Sequence, residues 1–168
     1  GRADRQAIEA ALHQDHRQQG PGARSDNTRR ERAVERFLRE SAFTLLNRLA
    51  ALKLMEHPSR ELIPPSVGGG DRSKGFQQFS LISPEAMGAQ ADGGYRLYLE
   101  SLFDDLAQAL GVLFDRDAPT SALFPSQSCL QEVLGQLNRP ELEPIWSEDE
   151  TIGWIYQYFT PKELRDEA

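Results

Sequence analysis

One cysteine, Cys129, is all the chain has, so no internal disulfide forms and no thiolate zinc site can be anchored. A lone thiol of this kind is expected to be a small core residue. Long apolar runs are absent too. Nothing approaches the roughly 20 consecutive apolar residues that a membrane helix needs, and no basic stretch leads into an apolar run and a small-residue cleavage site. The expectation is a cytoplasmic protein with no membrane partner. An excess of positive charge is also lacking: the formal net charge is −7, which argues against a general nucleic-acid coat.

What is present is the composition of a globular chain, with 39% hydrophobic and 27% charged residues in a length of 168 that suits one domain with a real core. The charge is unevenly distributed. Nine Lys/Arg face five Asp/Glu between Arg24 and Arg60, whereas five face sixteen from Pro84 onward, giving +4 against −11. One basic face beside an acidic one would allow contact with DNA or with a basic protein surface, and the plainer reading is a set of solvated helix faces.

Periodicity predicts an all-α chain. Ala7, Ile8, Ala11 and Leu12 mark a short helix before Gly20-Pro21-Gly22, so residues 1–24 read as a flexible or short helical extension. Thr28-Arg29-Arg30-Glu31 has the pattern of a capping box, predicting a long helix over 28–57. Its apolar stripe is Val34, Leu38, Ser41/Ala42, Leu45, Leu49 and Leu52, widened by Phe37, Leu46 and Met55, and His57-Pro58 ends it. Gly and Pro crowd residues 58–94, which read as a long, poorly ordered loop; Phe76–Ile82 within it is expected to be extended, and Pro84 to open a single turn through Met87. Tyr95, Leu99, Leu102, Leu106 and Leu110 predict a helix over 95–110 that ends at Gly111. Ser126 caps a further helix carrying Leu130, Val133, Leu134 and Leu137. Ser147-Glu148-Asp149-Glu150 is a second capping box, starting an aromatic helix over 149–159 with two covered faces, and Thr160-Pro161-Lys162-Glu163 begins another. The expected fold is an irregular helical domain of four to six helices, spanning 25–160, with a long Gly/Pro-rich loop.

Two segments carry a family resemblance. Ser41-Ala42-Phe43-Thr44-Leu45-Leu46-Asn47-Arg48-Leu49-Ala50-Ala51-Leu52-Lys53-Leu54-Met55-Glu56 resembles the aromatic-rich helix with an Asn-Arg pair, an apolar run and Met-Glu that precedes the catalytic core in BREX-type (phage growth limitation) and related type II adenine-specific DNA methyltransferases. Asp149-Glu150-Thr151-Ile152-Gly153-Trp154-Ile155-Tyr156-Gln157-Tyr158-Phe159 is similar to their Gly-Trp-x-Tyr-Gln-Tyr-aromatic segment, with Leu123-Phe124-Pro125 and Trp146 in the matching order between. Where the family's first helix often has Trp-Phe before Asn-Arg, this chain has Leu45-Leu46. The signature residues are therefore Asn47, Arg48, Gly153, Trp154, Tyr156, Tyr158 and Phe159.

The resemblance implies an N-terminal helical module, covering roughly 30–160, of an adenine N6 methyltransferase in a phage-defence or restriction-modification system. Residues 161–168 would begin the connection to its methyltransferase core. In that family S-adenosylmethionine is bound by a Rossmann-like core bearing Asn-Pro-Pro-Tyr, which holds the flipped adenine. Asn27, Asn47 and Asn138 are followed here by Thr or Arg, so neither that motif nor the cofactor site is expected in this segment, and no catalytic residue is assigned. The implied partners are the chain's own methyltransferase core, DNA through the parent, and other subunits of the defence complex. A helical module docking such a subunit through its acidic half is the alternative.

Candidate polar sites have two readings each. Arg29, Arg32, Arg36 and Arg39, at three- and four-residue steps, form a stripe able to track a DNA backbone, although Glu31, Glu35 and Glu40 are interleaved. Arg48 either contacts phosphate or a carboxylate, or packs its stem with its head in water, while Asn47 bonds locally. His13 and His16 are too poorly placed to argue a metal site. Gly68-Gly69-Gly70-Asp71 lacks the Lys-Ser/Thr of a phosphate cradle and reads as a flexible turn. Trp154, Tyr156 and Tyr158 could stack on bases, but their apolar neighbours favour the core.

Overall fold

The computed structural model describes residues 26–84, 94–148, 150, 151 and 153. Among these there is no strand, and the expected irregular all-α architecture is what the chain adopts. Four α-helices, α1 (Asp26–Met55), α2 (Lys74–Ile82), α3 (Tyr95–Phe114) and α4 (Gln127–Leu137), are accompanied by 3-10 segments at Gly70–Arg72, Pro119–Ser121 and Pro140–Ser147. The extension 1–24, the turn expected after Pro84, most of the aromatic helix 149–159 and the connection 161–168 lie outside the described residues.

The chain divides into two units, the first containing residues up to Leu46 with Asp115–Phe124 and the second Asn47–Phe114 with the residues from Pro125 onward. In the first, the described part of α1 runs from Asp26, so Thr28 lies within the helix and not at its cap. Ala33, Phe37 and Ser41 are buried at four-residue steps, a narrow stripe. Leu38, expected inside, is 48% exposed because one residue of helix rotates it about 100° from Phe37. Residues 115–124 are tied locally: Ser121 Oγ donates to the Asp115 carbonyl at 2.7 Å, and the Asp117 N–H donates to Asp115 Oδ1 at 2.9 Å.

In the second unit α1 changes character. Leu49, Ala50, Ala51, Leu52 and Leu54 are all buried, so this half of the helix is enclosed on every side. From α3 come Tyr95, Tyr98, Leu99, Phe103 and Phe114, and from α4 Leu130, Leu134 and Leu137. Helical geometry in α3 is interrupted at Leu110 (φ −128°, ψ 48°) but resumes to Phe114, past the end expected at Gly111. The extra turn brings Phe114 within 5.6 Å of Phe103, ring centroid to centroid. Burial of that ring pair favours continuing the helix over stopping at the glycine.

Phe76–Ile82 is helical, not extended. Phe76 and Phe79 are three residues apart, so a strand would send them to opposite faces whereas a helix turns both one way. Their rings meet Tyr95 and Tyr98 on α3 at centroid distances of 5.3 to 5.7 Å. Ser73 caps the helix by accepting the Phe76 N–H.

Ser126 caps α4 as the sequence predicts, its hydroxyl accepting the Cys129 N–H. Cys129 itself is exposed, contrary to the core reading, because Leu130, Leu134 and Leu137 set the inward face and the preceding residue falls outside it. Replacing Ser126 with Ala is expected to cost about 1 kcal/mol, the usual value of an N-cap hydroxyl, seen as a lower urea midpoint with an unchanged slope.

Candidate functional site

The densest polar construction among the described residues lies at the end of α1. Glu56 follows the last helical residue and is only 8% exposed. A carboxylate there is doubly unfavourable, since it is removed from water and sits at the negative end of the helix dipole. Its partners come from the segment that begins at Pro64-Pro65. Glu56 Oε2 accepts the N–H groups of Ser66 (2.6 Å) and Val67 (2.8 Å), and Oε1 accepts that of Gly68 (2.6 Å). Lys53, one turn earlier on α1, places its ammonium 3.3 Å from Oε1. Three consecutive amides converging on one anion form a backbone nest.

The carbonyls of the same segment are also engaged. Ser66 Oγ donates to the Pro64 carbonyl (2.8 Å) and the Gly75 N–H to that of Pro65 (2.8 Å). Tyr95 donates its hydroxyl to the Ser66 carbonyl (2.8 Å), and Asn138 Nδ2 to that of Val67 (2.8 Å). Since the Ser66 hydroxyl proton points to Pro64, the Tyr98 hydroxyl, 2.5 Å from Ser66 Oγ, must be the donor in that contact. Ser66 and Val67 are fully buried as a result.

Glycine is required at particular points. A Cβ on Gly68 would lie 2.7 Å from Glu56 Oε1, and one on Gly75 would collide with the Tyr98 hydroxyl. Gly69 and Gly70 have φ of 89° and 56°, the left-handed region. The flexible turn read at Gly68–Asp71 is therefore a fixed one. It does not serve as a phosphate cradle: the amides of Gly68, Gly70, Arg72 and Ser73 are directed to Glu56, Val67, Gly69 and Gly70 of this same chain.

Burial is the main reason that the Tyr95 hydroxyl holds its proton far more tightly than a free phenol; the charge of Glu56 adds to it, and Tyr98 and Asp71 contribute less. Tyr98 is shifted the same way, again chiefly by burial, with the Ser66 hydrogen bond opposing and Glu56 reinforcing. Both remain donors, as the arrangement requires.

The sequence-predicted residues divide sharply. Arg48 is buried at 4% exposure, with Nε donating to the Leu113 carbonyl at 2.8 Å and the guanidinium 5.3 Å from the centre of the Phe103 ring. It is a packing residue, not a surface cation reaching for phosphate, and its head is not in water. Asn47 does not bond locally through its amide oxygen, which is buried with no hydrogen-bond partner among the described residues. Arg32, Arg36 and Arg39 are exposed and Arg29 half-exposed, as a stripe requires. Two have carboxylate neighbours one turn away, Arg36 with Glu40 at 3.9 Å and Arg39 with Glu35 at 3.1 Å, so the stripe is partly neutralised. Gly153 is exposed; the side chains of Trp154, Tyr156, Tyr158 and Phe159 and the pair His13 and His16 fall outside the described residues.

Glu56, Lys53, Tyr95, Tyr98 and Asn138 carry no motif that marks them as site residues in the sequence. Nor does Arg60, whose two terminal nitrogens donate to the carbonyls of Trp146 (2.8 Å) and Ser147 (3.2 Å). The available signal was an acid just past a helix end, followed by an unusually glycine-rich run. Among the described residues no group of three or more His, Cys, Asp or Glu could hold a metal ion, and no helix is long and apolar enough to cross a membrane.

Tyr95 yields a pH prediction. A phenol held protonated in the folded state contributes stability that is complete below the unfolded value of 10.0 and is lost as pH rises above it, because only the unfolded chain then releases the proton. The thermal midpoint should fall progressively above about pH 10, and Tyr95→Phe, lower at neutral pH through its lost hydrogen bond, should fall less steeply. Parallel curves for the two proteins would refute this account. No family model, curated protein or solved structure matches this chain.

Proposed function

We propose that this chain is the N-terminal helical module of an adenine-specific (N6) DNA methyltransferase of a phage-defence or restriction-modification system, supporting a catalytic core and offering its arginine stripe to the DNA backbone. The reading rests on the likeness of Ser41–Glu56 and Asp149–Phe159 to segments of the BREX-type enzymes. One observation supports a scaffolding role in particular. The polar members of the first segment turn inward, Arg48 to the Leu113 carbonyl and Glu56 to the amides of residues 66–68, so they organise the module. S-adenosylmethionine and the Asn-Pro-Pro-Tyr chemistry would belong to the parent's core. No catalytic step is assigned to the residues of this chain.

DNA contact, in this reading, is electrostatic and falls to Arg29, Arg32, Arg36 and Arg39. A second reading, a module that docks a partner subunit, is favoured by Leu81 and Ile82, which stand 83% and 82% exposed at the end of α2.

Two measurements test the proposal. The longer reading frame containing this chain should encode Asn-Pro-Pro-Tyr downstream, and its product should transfer methyl groups to adenine in duplex DNA; a frame without that core rejects the assignment. Separately, duplex DNA should be retarded by this chain in a salt-sensitive way, with the logarithmic salt slope shrinking by about one for each of the four arginines replaced. Retardation that ignores those replacements, or none at all, removes the DNA contribution and leaves docking.

A further inference from the structure

The nest around Glu56 holds one carboxylate, and that carboxylate is covalently part of the chain. Three successive amides, those of Ser66, Val67 and Gly68, point to one carboxylate; Lys53 supplies a positive charge 3.3 Å from it; and residue 68 has no side chain where the oxygen approaches. The remaining polar atoms of the segment face the other way, its carbonyls being taken by Tyr95, Asn138 and the Gly75 amide. Anion and segment are thus ordered together. Without a negative charge at this place, three parallel amide dipoles and an ammonium would be left buried against one another.

We propose that residues 64–75 are an anion-closed strap: Glu56 acts as a tethered ligand of the Ser66–Gly68 amides, and the strap opens when that charge is lost and closes again on a free carboxylate. Closure places Ser66 against Tyr98 and Tyr95 and Val67 against Asn138, so opening exposes the tyrosine cluster between α2 and α3. The charge is the operative feature, and not merely a hydrogen-bond acceptor of the right shape. A Gln at position 56 offers one acceptor oxygen, but its amide nitrogen would confront N–H groups.

The test is amide exchange on the full 168-residue chain. In both Glu56→Ala and Glu56→Gln the amides of Ser66, Val67 and Gly68 should exchange about tenfold faster or more, while that of Leu49 in α1 holds its protection. Sodium formate, against sodium chloride at equal ionic strength, should slow those three amides in Glu56→Ala, leave wild type unchanged, and lose its effect when Lys53→Met is added. Should Glu56→Ala be unfolded, the readout becomes the folded fraction, which formate and not chloride must restore. Full protection in Glu56→Gln overturns the proposal. So does a formate effect that is absent or equal in wild type and variant, the latter being general salt stabilisation.

Discussion

A single buried carboxylate governs how the second unit is put together. Glu56 stands at the end of α1, where both the dipole and the loss of water oppose it. A carboxylate so placed needs hydrogen-bond donors brought to it. The backbone can supply them, provided that three consecutive amides turn the same way. That requirement fixes the path of Ser66, Val67 and Gly68, and that path then directs the Ser66 carbonyl toward Tyr95 and the Val67 carbonyl toward Asn138. Two glycines of the segment are required by close approach: Gly68 to the carboxylate, and Gly75 to the Tyr98 hydroxyl.

Two arginines, Arg48 in the last third of α1 and Arg60 beyond its end, are used in a complementary sense. Arg48 and Arg60 donate to carbonyls that regular structure leaves open, those of Leu113 near the end of α3 and of Trp146 and Ser147 at the end of a 3-10 segment. Hydrogen bonds from a charged donor contribute about 1.5–3 kcal/mol each, more than neutral ones, and the planar guanidinium can serve two carbonyls at once. Trp146 is bound from both sides, since its indole N–H also donates to the Leu137 carbonyl at 3.1 Å. Charged groups near the end of one helix therefore connect three distant stretches of chain. Such groups specify the arrangement through the cost of leaving any one of them unpaired, more than through net attraction.

The positive charges of α1 separate by position: those toward its beginning are exposed and interleaved with glutamates, while Arg48 is enclosed and Lys53 nearly so. Arg48 and Glu56 are buried and serve the packing of the second unit.

Helices with a strong period or an explicit cap are legible in the residues alone. The long apolar run of α1, the face of α3 and the Ser126 cap of α4 are local properties, legible because 3.6-residue repetition and capping depend on neighbours in the chain. Tertiary structure decided the rest. Whether Phe76–Ile82 becomes helical rests on the rings of Tyr95 and Tyr98, which the segment itself does not encode. Whether α3 passes Gly111 rests on Phe103, and whether Arg48 faces water rests on a carbonyl 65 residues away. A glycine-rich run reads as flexible because glycine costs the most entropy to order. Here the order comes from the Glu56 carboxylate, ten to twelve residues earlier, and only folding brings the two together.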